Sequence, residues 1–544
     1  MSGASQRDRR EALAPGLVLF AIMIAHTILE TARDALFLAR LGPQHLAAVY
    51  LAMAAIALAA FAALRRWTRL RDPRNILVAF LSLATLGTAV LAIVIARSPA
   101  AVFALYIWTG LVATLVVPSF WTLLDRAVRV DEAKRLFATI GAAGVVGAIA
   151  GSAIASVLGS LLAAGNLVIA GALASGIALV CAFAFAPRRV VAEIRPHARG
   201  AEKLSRGARR YVAILIAIGV VATIALTLAD LLFKRVIAQR LPAGDLASAL
   251  GAIYAGLNTL GLVIQLVVTR RLLRTWGVGA ALAMLPVILA TAGFGYAASG
   301  ALVAVIASKL GDGALRHSLY RVTSELLYLP VPSQVREGWK PIADAIVLRG
   351  GEAVAALVTF GLGVTRGDLR ELALVAAAAA TLWLFGIPIL HRAYLGQFRD
   401  TLRAGEVARD ARVPSLDAGV AAVLVDALSS PDEQVALPAL ELLAGRARIP
   451  ALVLYHHSPA VVERALELLE HEARDDIEHA LGYLLDHRDP AIRAAALAAT
   501  AGRRGERERR IAAMADPDPR LRAAALVGLI DDPERGDAAV AEVA

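Results

Sequence analysis

Long apolar runs follow one another from residue 13 to residue 395, and they leave few folds open to this chain. They fall at about 13–39, 46–64, 75–96, 100–122, 137–163 and 166–187, then at 211–238, 247–269, 277–298, 299–319, 341–364 and 371–395. A helix needs about 20 mostly apolar residues to cross the hydrocarbon of a bilayer. Inside lipid, a helix satisfies its own backbone hydrogen bonds, which an open strand cannot do. The runs therefore predict an all-α protein with twelve membrane spans in two six-helix halves, residues 1–187 and 211–398. Composition agrees: of 544 residues 58% are hydrophobic and only 19% charged. The basic N-terminus precedes an apolar run too long for a secretory signal, so the first span is expected to be retained.

The net charge of +11 would point to nucleic acid in a soluble protein. Here it comes from loops. Those after even-numbered spans are basic: Arg65 to Arg74, Asp125 to Arg135, the linker 188–210 with Arg188, Arg189, Arg195, Arg199, Lys203, Arg206, Arg209 and Arg210, and Arg270 to Arg274. Loops after odd-numbered spans carry little charge. Lys and Arg concentrate on the cytoplasmic side of membrane proteins, so both termini are expected to be cytoplasmic, in a bacterial inner membrane. The expected partner is the lipid bilayer, and no nucleic acid is expected.

The halves resemble each other. TARDALF (Thr31 to Phe37) in the first span reappears as TLADLLF (Thr227 to Phe233) in the seventh. Parallel six-span repeats are the plan of major-facilitator carriers, which hold solute between the halves, and the loop Leu64 to Arg74 loosely resembles the loop between the second and third helices of that superfamily.

Beyond about residue 413 the chain turns soluble in character. Pro431, Pro459, Pro490 and Pro519 recur at about 30-residue intervals, a solenoid period. The pairs Ala439-Leu440, Ala465-Leu466, Ala496-Leu497 and Ala525-Leu526 follow them. Residues 413–544 are expected to form a cytoplasmic HEAT-like array, whose surface suits a cytosolic protein partner; a generic helical bundle is the alternative.

Ionisable groups in a span are costly and mark functional sites. At helical spacing His26, Glu30, Arg33 and Phe37 share a face of the first span, with Asp34 beside Glu30. Asp230 and Lys234 repeat the theme in the seventh, and Lys309, Asp312 and Arg316 share a face of the tenth. Arg33, Asp34, Asp230, Lys234, Lys309, Asp312, Arg316, Lys340 and Asp344 are the candidates for solute binding or gating, with His26 and Glu30 for proton coupling. A structural ion pair is the competing reading. At about 1.5 Å per residue Arg33 stands roughly 30 Å along its helix, near the outer boundary, which makes an outer gate and a binding pair equally good readings. Lys340 reads as well as a positive-inside loop residue, and the tenth span as a self-neutralised pair or partial loop.

Other motifs carry less. Gly141 to Ala155 is glycine-rich but lies in a span, where glycines let helices pack closely. Asp131 to Arg135 reads as a cytoplasmic gate element or as an interfacial helix. One cysteine, Cys181, allows no intrachain disulfide. His456, His457 and His471 lack a metal-ligand pattern. No catalytic motif or cofactor site is found, so neither enzymatic activity, a metal nor a cofactor is expected.

Several of these segments together resemble the nucleotide transporter family of ATP/ADP translocases of plastids and obligate intracellular bacteria. Phe120 to Gly141 is similar to its Phe-Trp…Glu-Ala-Lys-Arg segment, Thr227 to Arg235 to its seventh-helix stretch, and Glu325 to Asp344 to its Glu-x-x-Tyr-Ile-Pro…Lys-x-x-x-Asp pattern. TARDALFLA resembles its Lys-Asp-Thr-Leu element, with Arg33 in place of Lys. The likeness runs over most of residues 20–395 and implies exchange of ATP- and ADP-like nucleotides or related organic phosphates by alternating access. It places Arg33, Asp230 and Lys340 at transport-associated positions. The chain departs from the pattern at Arg126, where the family has an acid, and at Gly338-Trp339-Lys340. The resemblance describes a diverged bacterial branch fused to HEAT-like repeats. A proton-coupled carrier of another solute and a non-transporting membrane anchor or sensor stay open as alternatives.

Overall fold

The computed structural model describes residues 2–69, 71–127, 130–186, 205–328, 330–331, 339–340, 342–361, 363, 368–404, 418–469, 474–500 and 507–530, and every element among them is helical. The membrane part comprises α1 (Ser2–Arg40), α2 (Leu46–Arg69), α3 (Pro73–Val94), α4 (Pro99–Ala127), α5 (Val130–Leu161) and α6 (Ala164–Phe185). It continues with α7 (Arg206–Arg240), α8 (Leu246–Val263), α9 (Thr269–Ser299), α10 (Leu302–Leu315), α11 (Gly351–Gly361) and α12 (Leu369–Arg403). Nine of these, all but α2, α10 and α11, are long and apolar enough to cross a membrane among the described residues.

In sequence the apolar stretch of α2 runs from Leu46 to Leu64. α10 carries Lys309 and Asp312 and runs on through a π-turn, Arg316–Tyr320, into Arg321–Leu326. The expected tenth span is thus a continuous helix, its low apolarity coming from charges on one face. α11 likewise follows a π-turn, Ile346–Gly350. Between α6 and α7 the basic linker lies mostly outside the described residues. Its last part is already helical: Ser205 accepts from the Ala208 N–H at 3.1 Å and starts α7 at Arg206, a hydroxyl cap on free helix donors.

α1 packs on α4, α5 and α6, and α3 on α4 and α6; α10 packs on α7 and α8, and α11 on α7. The halves meet where α5 runs along α8, α2 along α11 and α1 across α8 and α7. Glycine makes two of these approaches possible. A Cβ at Gly147 would lie 2.5 Å from the Phe20 carbonyl oxygen of α1, and one at Gly251 2.5 Å from the Ser156 nitrogen of α5. The glycine-rich stretch in α5 is therefore a packing surface, as small residues in membrane helices are.

The apolar cores divide unequally. One joins both halves at the end where α1 and α7 finish, with Leu36, Phe37 and Leu105 beside Leu231, Phe233 and Leu250. Among the described residues another lies at the opposite end and draws on the N-terminal half, through Val18, Leu77, Phe120, Leu123, Ile140 and Ala182.

A second compact unit includes residues 391–544. It holds the end of α12 and α13 (Ala418–Ala427), α14 (Glu433–Leu443), α15 (Pro459–Leu469), α16 (Asp475–Leu484), α17 (Pro490–Ala499), α18 (Arg507–Ala513) and α19 (Pro519–Leu529). α14 packs on α15, α15 on α17 and α17 on α19. The four Ala-Leu pairs lie buried in these helices, Ala439, Ala465, Ala496 and Ala525 each at 0% exposure. The acids before the helices act as caps: Asp432, Asp489 and Asp518 accept from the N–H groups of Gln434, Ala491 and Arg520 at 2.9, 2.9 and 2.8 Å. His456 ties Ser430 to Ser458, reaching the Ser430 carbonyl oxygen at 2.8 Å and accepting from the Ser458 N–H at 3.0 Å. His457 is exposed, and His471 lies outside the described residues. No metal-binding cluster is found among the described residues.

Candidate functional site

The repeated motif places Asp34 near the end of α1 and Asp230 near the end of α7. Each is held by the opposite half. Tyr254 of α8 donates to Asp34 Oδ2 at 2.7 Å, and Tyr50 of α2 donates to Asp230 Oδ2 at 2.9 Å. In each case a tyrosine from the second helix of one half reaches the motif aspartate of the other. A buried phenol needs an acceptor, and a carboxylate makes that hydrogen bond strong.

Lys234 stands between the two acids. Its Nζ is 3.1 Å from Asp34 Oδ2 and 3.0 Å from Asp230 Oδ2, and it donates to the Tyr106 hydroxyl at 2.8 Å. On the α1 side Arg33 Nε meets Asp34 Oδ1 at 3.2 Å, while its guanidinium reaches Glu30 at 3.4 Å and lies over the Tyr106 ring at 4.6 Å. On the α10 side Lys309 meets Asp230 Oδ1 at 2.6 Å and Asp312 at 3.6 Å. Arg316 Nε then approaches Asp312 Oδ1 at 2.7 Å, close enough for an ion pair without a hydrogen bond's alignment.

The result is one continuous chain of charge from Glu30 to Arg316, in which acids and bases balance. The balance holds only while the halves touch. In the N-terminal half Glu30 and Asp34 outnumber Arg33; in the C-terminal half Lys234, Lys309 and Arg316 outnumber Asp230 and Asp312. Within this network each half thus contributes a single unbalanced charge, and the two are opposite. Asp34 is 1% exposed and Lys234 3%, so neither is solvated by bulk water. Removing one partner of a buried pair costs about 3–5 kcal/mol.

Other predicted residues fall elsewhere. His26 is 3.9 Å from Glu30, at the inner edge of the network, and lines a small cavity inside the N-terminal half with Ala25, Leu29, Leu81, Val112 and Ser175. Lys340 pairs with Glu325 at 3.0 Å and with Asp344 at 3.4 Å. Asp131 to Arg135 lies in the first turns of α5.

Sequence reasoning missed four residues that matter. Tyr50, Tyr106 and Tyr254 complete the network, and their signal was a hydroxyl placed in an apolar span. The fourth is Arg349, in the π-turn before α11. It is 7% exposed, donates to Glu352 at 2.8 Å, and reaches Thr114 of α4 across the halves. π-Turns often sit at functional positions, and the charge of Arg349 in a span was a further signal.

By sequence the chain matches no protein-family model and no curated protein. By structure, 70% of it superposes on 99% of a crystal structure of the nucleoside transporter NupG, with a TM-score of 0.56 at 14% identity. A crystal structure of the POT family transporter PepTSo gives a TM-score of 0.52 at 13% identity, covering 70% of this chain and 98% of that one. At such identities the likeness establishes the fold and nothing finer. The chain is a helical multi-pass membrane protein with the fold of these two transporters.

Proposed function

We propose that the chain is a carrier working by alternating access, and that the network from Glu30 to Arg316 is its outer gate. One observation carries this reading. The two halves share a core and a buried ion chain at the end where α1 and α7 finish, while among the described residues the core at the opposite end belongs to the N-terminal half. Such an asymmetric interface closes a path at one end. The Lys and Arg content of the loops makes that end extracellular and both termini cytoplasmic, in a bacterial inner membrane spanned twelve times.

The solute is an anionic small molecule, a nucleotide or related organic phosphate taken by exchange. The positive excess of the C-terminal half supports this, as does the likeness of the motifs to those of nucleotide translocases. Arg33, Lys234, Lys309, Arg316 and Lys340 supply the cations, and Asp34, Asp230, Asp312 and Asp344 hold them in place when no solute is bound. Residues 413–544 form HEAT-like repeats that present a cytosolic surface for a regulatory partner. Proton coupling through His26 and Glu30 has less support, since His26 lines a cavity within one half.

The test is counter-flow in liposomes reconstituted with the full chain. Uptake of labelled nucleotide that requires unlabelled nucleotide inside is the expected result. Uptake that instead follows a proton gradient, or none of any nucleotide or phosphorylated metabolite, would overturn the solute assignment.

A further inference from the structure

The charge pairing across the halves says more than that they attract. Lys234 Nζ and the Tyr254 hydroxyl, both from the C-terminal half, converge on one oxygen of Asp34, at 3.1 and 2.7 Å. They do so from different helices, α7 and α8, so the spot is shaped by the fold of that half. Lys309 stands behind, its Nζ 5.9 Å from the centre of the Tyr254 ring and 5.3 Å from that of Phe233. The C-terminal half thus presents a cradle for a carboxylate, and the N-terminal half supplies one.

Separation of the halves leaves that cradle unfilled. Of the partners of Lys234, Asp34, Tyr106 and Tyr50 depart with the N-terminal half, and Asp230 stays. Tyr254 loses the acceptor of its hydroxyl. The same motion uncovers the unbalanced positive charge of the C-terminal half. An ammonium left with only one of its two carboxylates and a phenol without its acceptor are short of partners, and a monoanion of carboxylate or phosphate type restores both contacts and the charge balance. Asp34 keeps Arg33 beside it at 3.2 Å on the same helix.

We infer that Lys234 and Tyr254 form an anion-binding site for a carboxylate or phosphate group on the outward-facing carrier, and that Asp34 is a built-in occupant which this group displaces. The inference rests on the carrier reading and adds the point at which an anion first engages. It makes gate opening and anion binding one event, because the outer end closes only by putting Asp34 back. An anion that binds the open state alone shifts the population toward it by mass action.

The experiment uses the full chain with Cys181→Ser, carrying Gln44→Cys and Ala243→Cys at exposed positions beyond α1 and α7 for a pair of dyes. Energy transfer between the dyes reports separation of the outer ends while inorganic phosphate, acetate or adenosine monophosphate is titrated at constant ionic strength. Saturable loss of transfer is expected. Asp34→Asn lowers the apparent Kd for phosphate by about tenfold, because the anion no longer competes with the resident carboxylate. Tyr254→Phe, which keeps size and packing, weakens the response by a similar factor and controls for folding. An unchanged or weaker anion response in Asp34→Asn overturns the inference, as does a full response in Tyr254→Phe. The outcome stays separate from the carrier reading. A chain that opens on anions yet moves no solute keeps the cradle and loses the carrier; one that transports while its outer end ignores anions does the reverse.

Discussion

The two ends of the membrane bundle are built on different principles. Where α1 and α7 finish, apolar residues of both halves surround a buried chain of acids, bases and phenols, and the pairs that join the halves join opposite net charges. At the other end Leu77, Phe120, Leu123 and Ile140 fill a core within one half. An apolar core holds what should stay together. A balanced ion chain is strong while complete, and its parts can be satisfied again by water or an ion once separated. On the proposed reading, the charges in these spans serve an interface that opens, and the purely apolar core serves a half that moves as a unit.

The sharpest way to break this comparison is to remove Lys234. Lys234→Ala leaves Asp34 and Asp230 facing each other's half without a shared cation, an expected loss of about 3–5 kcal/mol. Thermal unfolding in detergent should fall, and thiol labelling at Gln44→Cys and Ala243→Cys should show the outer ends apart. At the opposite end Leu123→Ala, at a position 0% exposed, should cost a comparable 2–5 kcal/mol or so. Its labelling at the gate end should match that of the unaltered chain. If both variants opened the gate alike, the division between the ends would collapse.

Smaller changes sharpen the picture. Tyr50→Phe and Tyr254→Phe each delete one hydrogen bond to a carboxylate, worth about 1.5–3 kcal/mol. Because the two bonds are related by the repeat, their effects on unfolding should be alike within a factor of two or so; strong inequality would show that the symmetry is only geometric. Gly251→Ala presses a methyl group on the Ser156 backbone, at a cost of about 1–3 kcal/mol, and should slow closing of the gate end more than it lowers the melting temperature.

Much of this was legible in the sequence, and the remainder has physical reasons for being hidden. The apolar runs anticipated an all-helical chain with apolar spans, and the repeated TARDALF and TLADLLF motifs marked the ends of α1 and α7 where the network lies. His26 through Arg316 were singled out because ionisable groups in spans are rare. Which half each charge pairs with was not legible, since that depends on α1 crossing α7 and α8. The tyrosines escaped because a phenol in a span is ordinary until its acceptor is known. Lys340 lay just outside a span and read equally well as a loop residue, and it pairs with Glu325 and Asp344. Arg349 was overlooked amid apolar neighbours, although its charge alone marked it.

Solute passage should require the gate end to part. Ser156 of α5 donates to the Ser248 carbonyl oxygen of α8 at 2.9 Å, across the halves. In a Cys181→Ser background, Ser156→Cys and Ser248→Cys joined by a short thiol cross-linker hold that contact shut. Transport by the cross-linked chain in liposomes is the most direct measurement. Loss of transport in proportion to cross-linking, with recovery when a reducible linker is cleaved, is the predicted result. Undiminished transport with the linker quantitatively in place would contradict it.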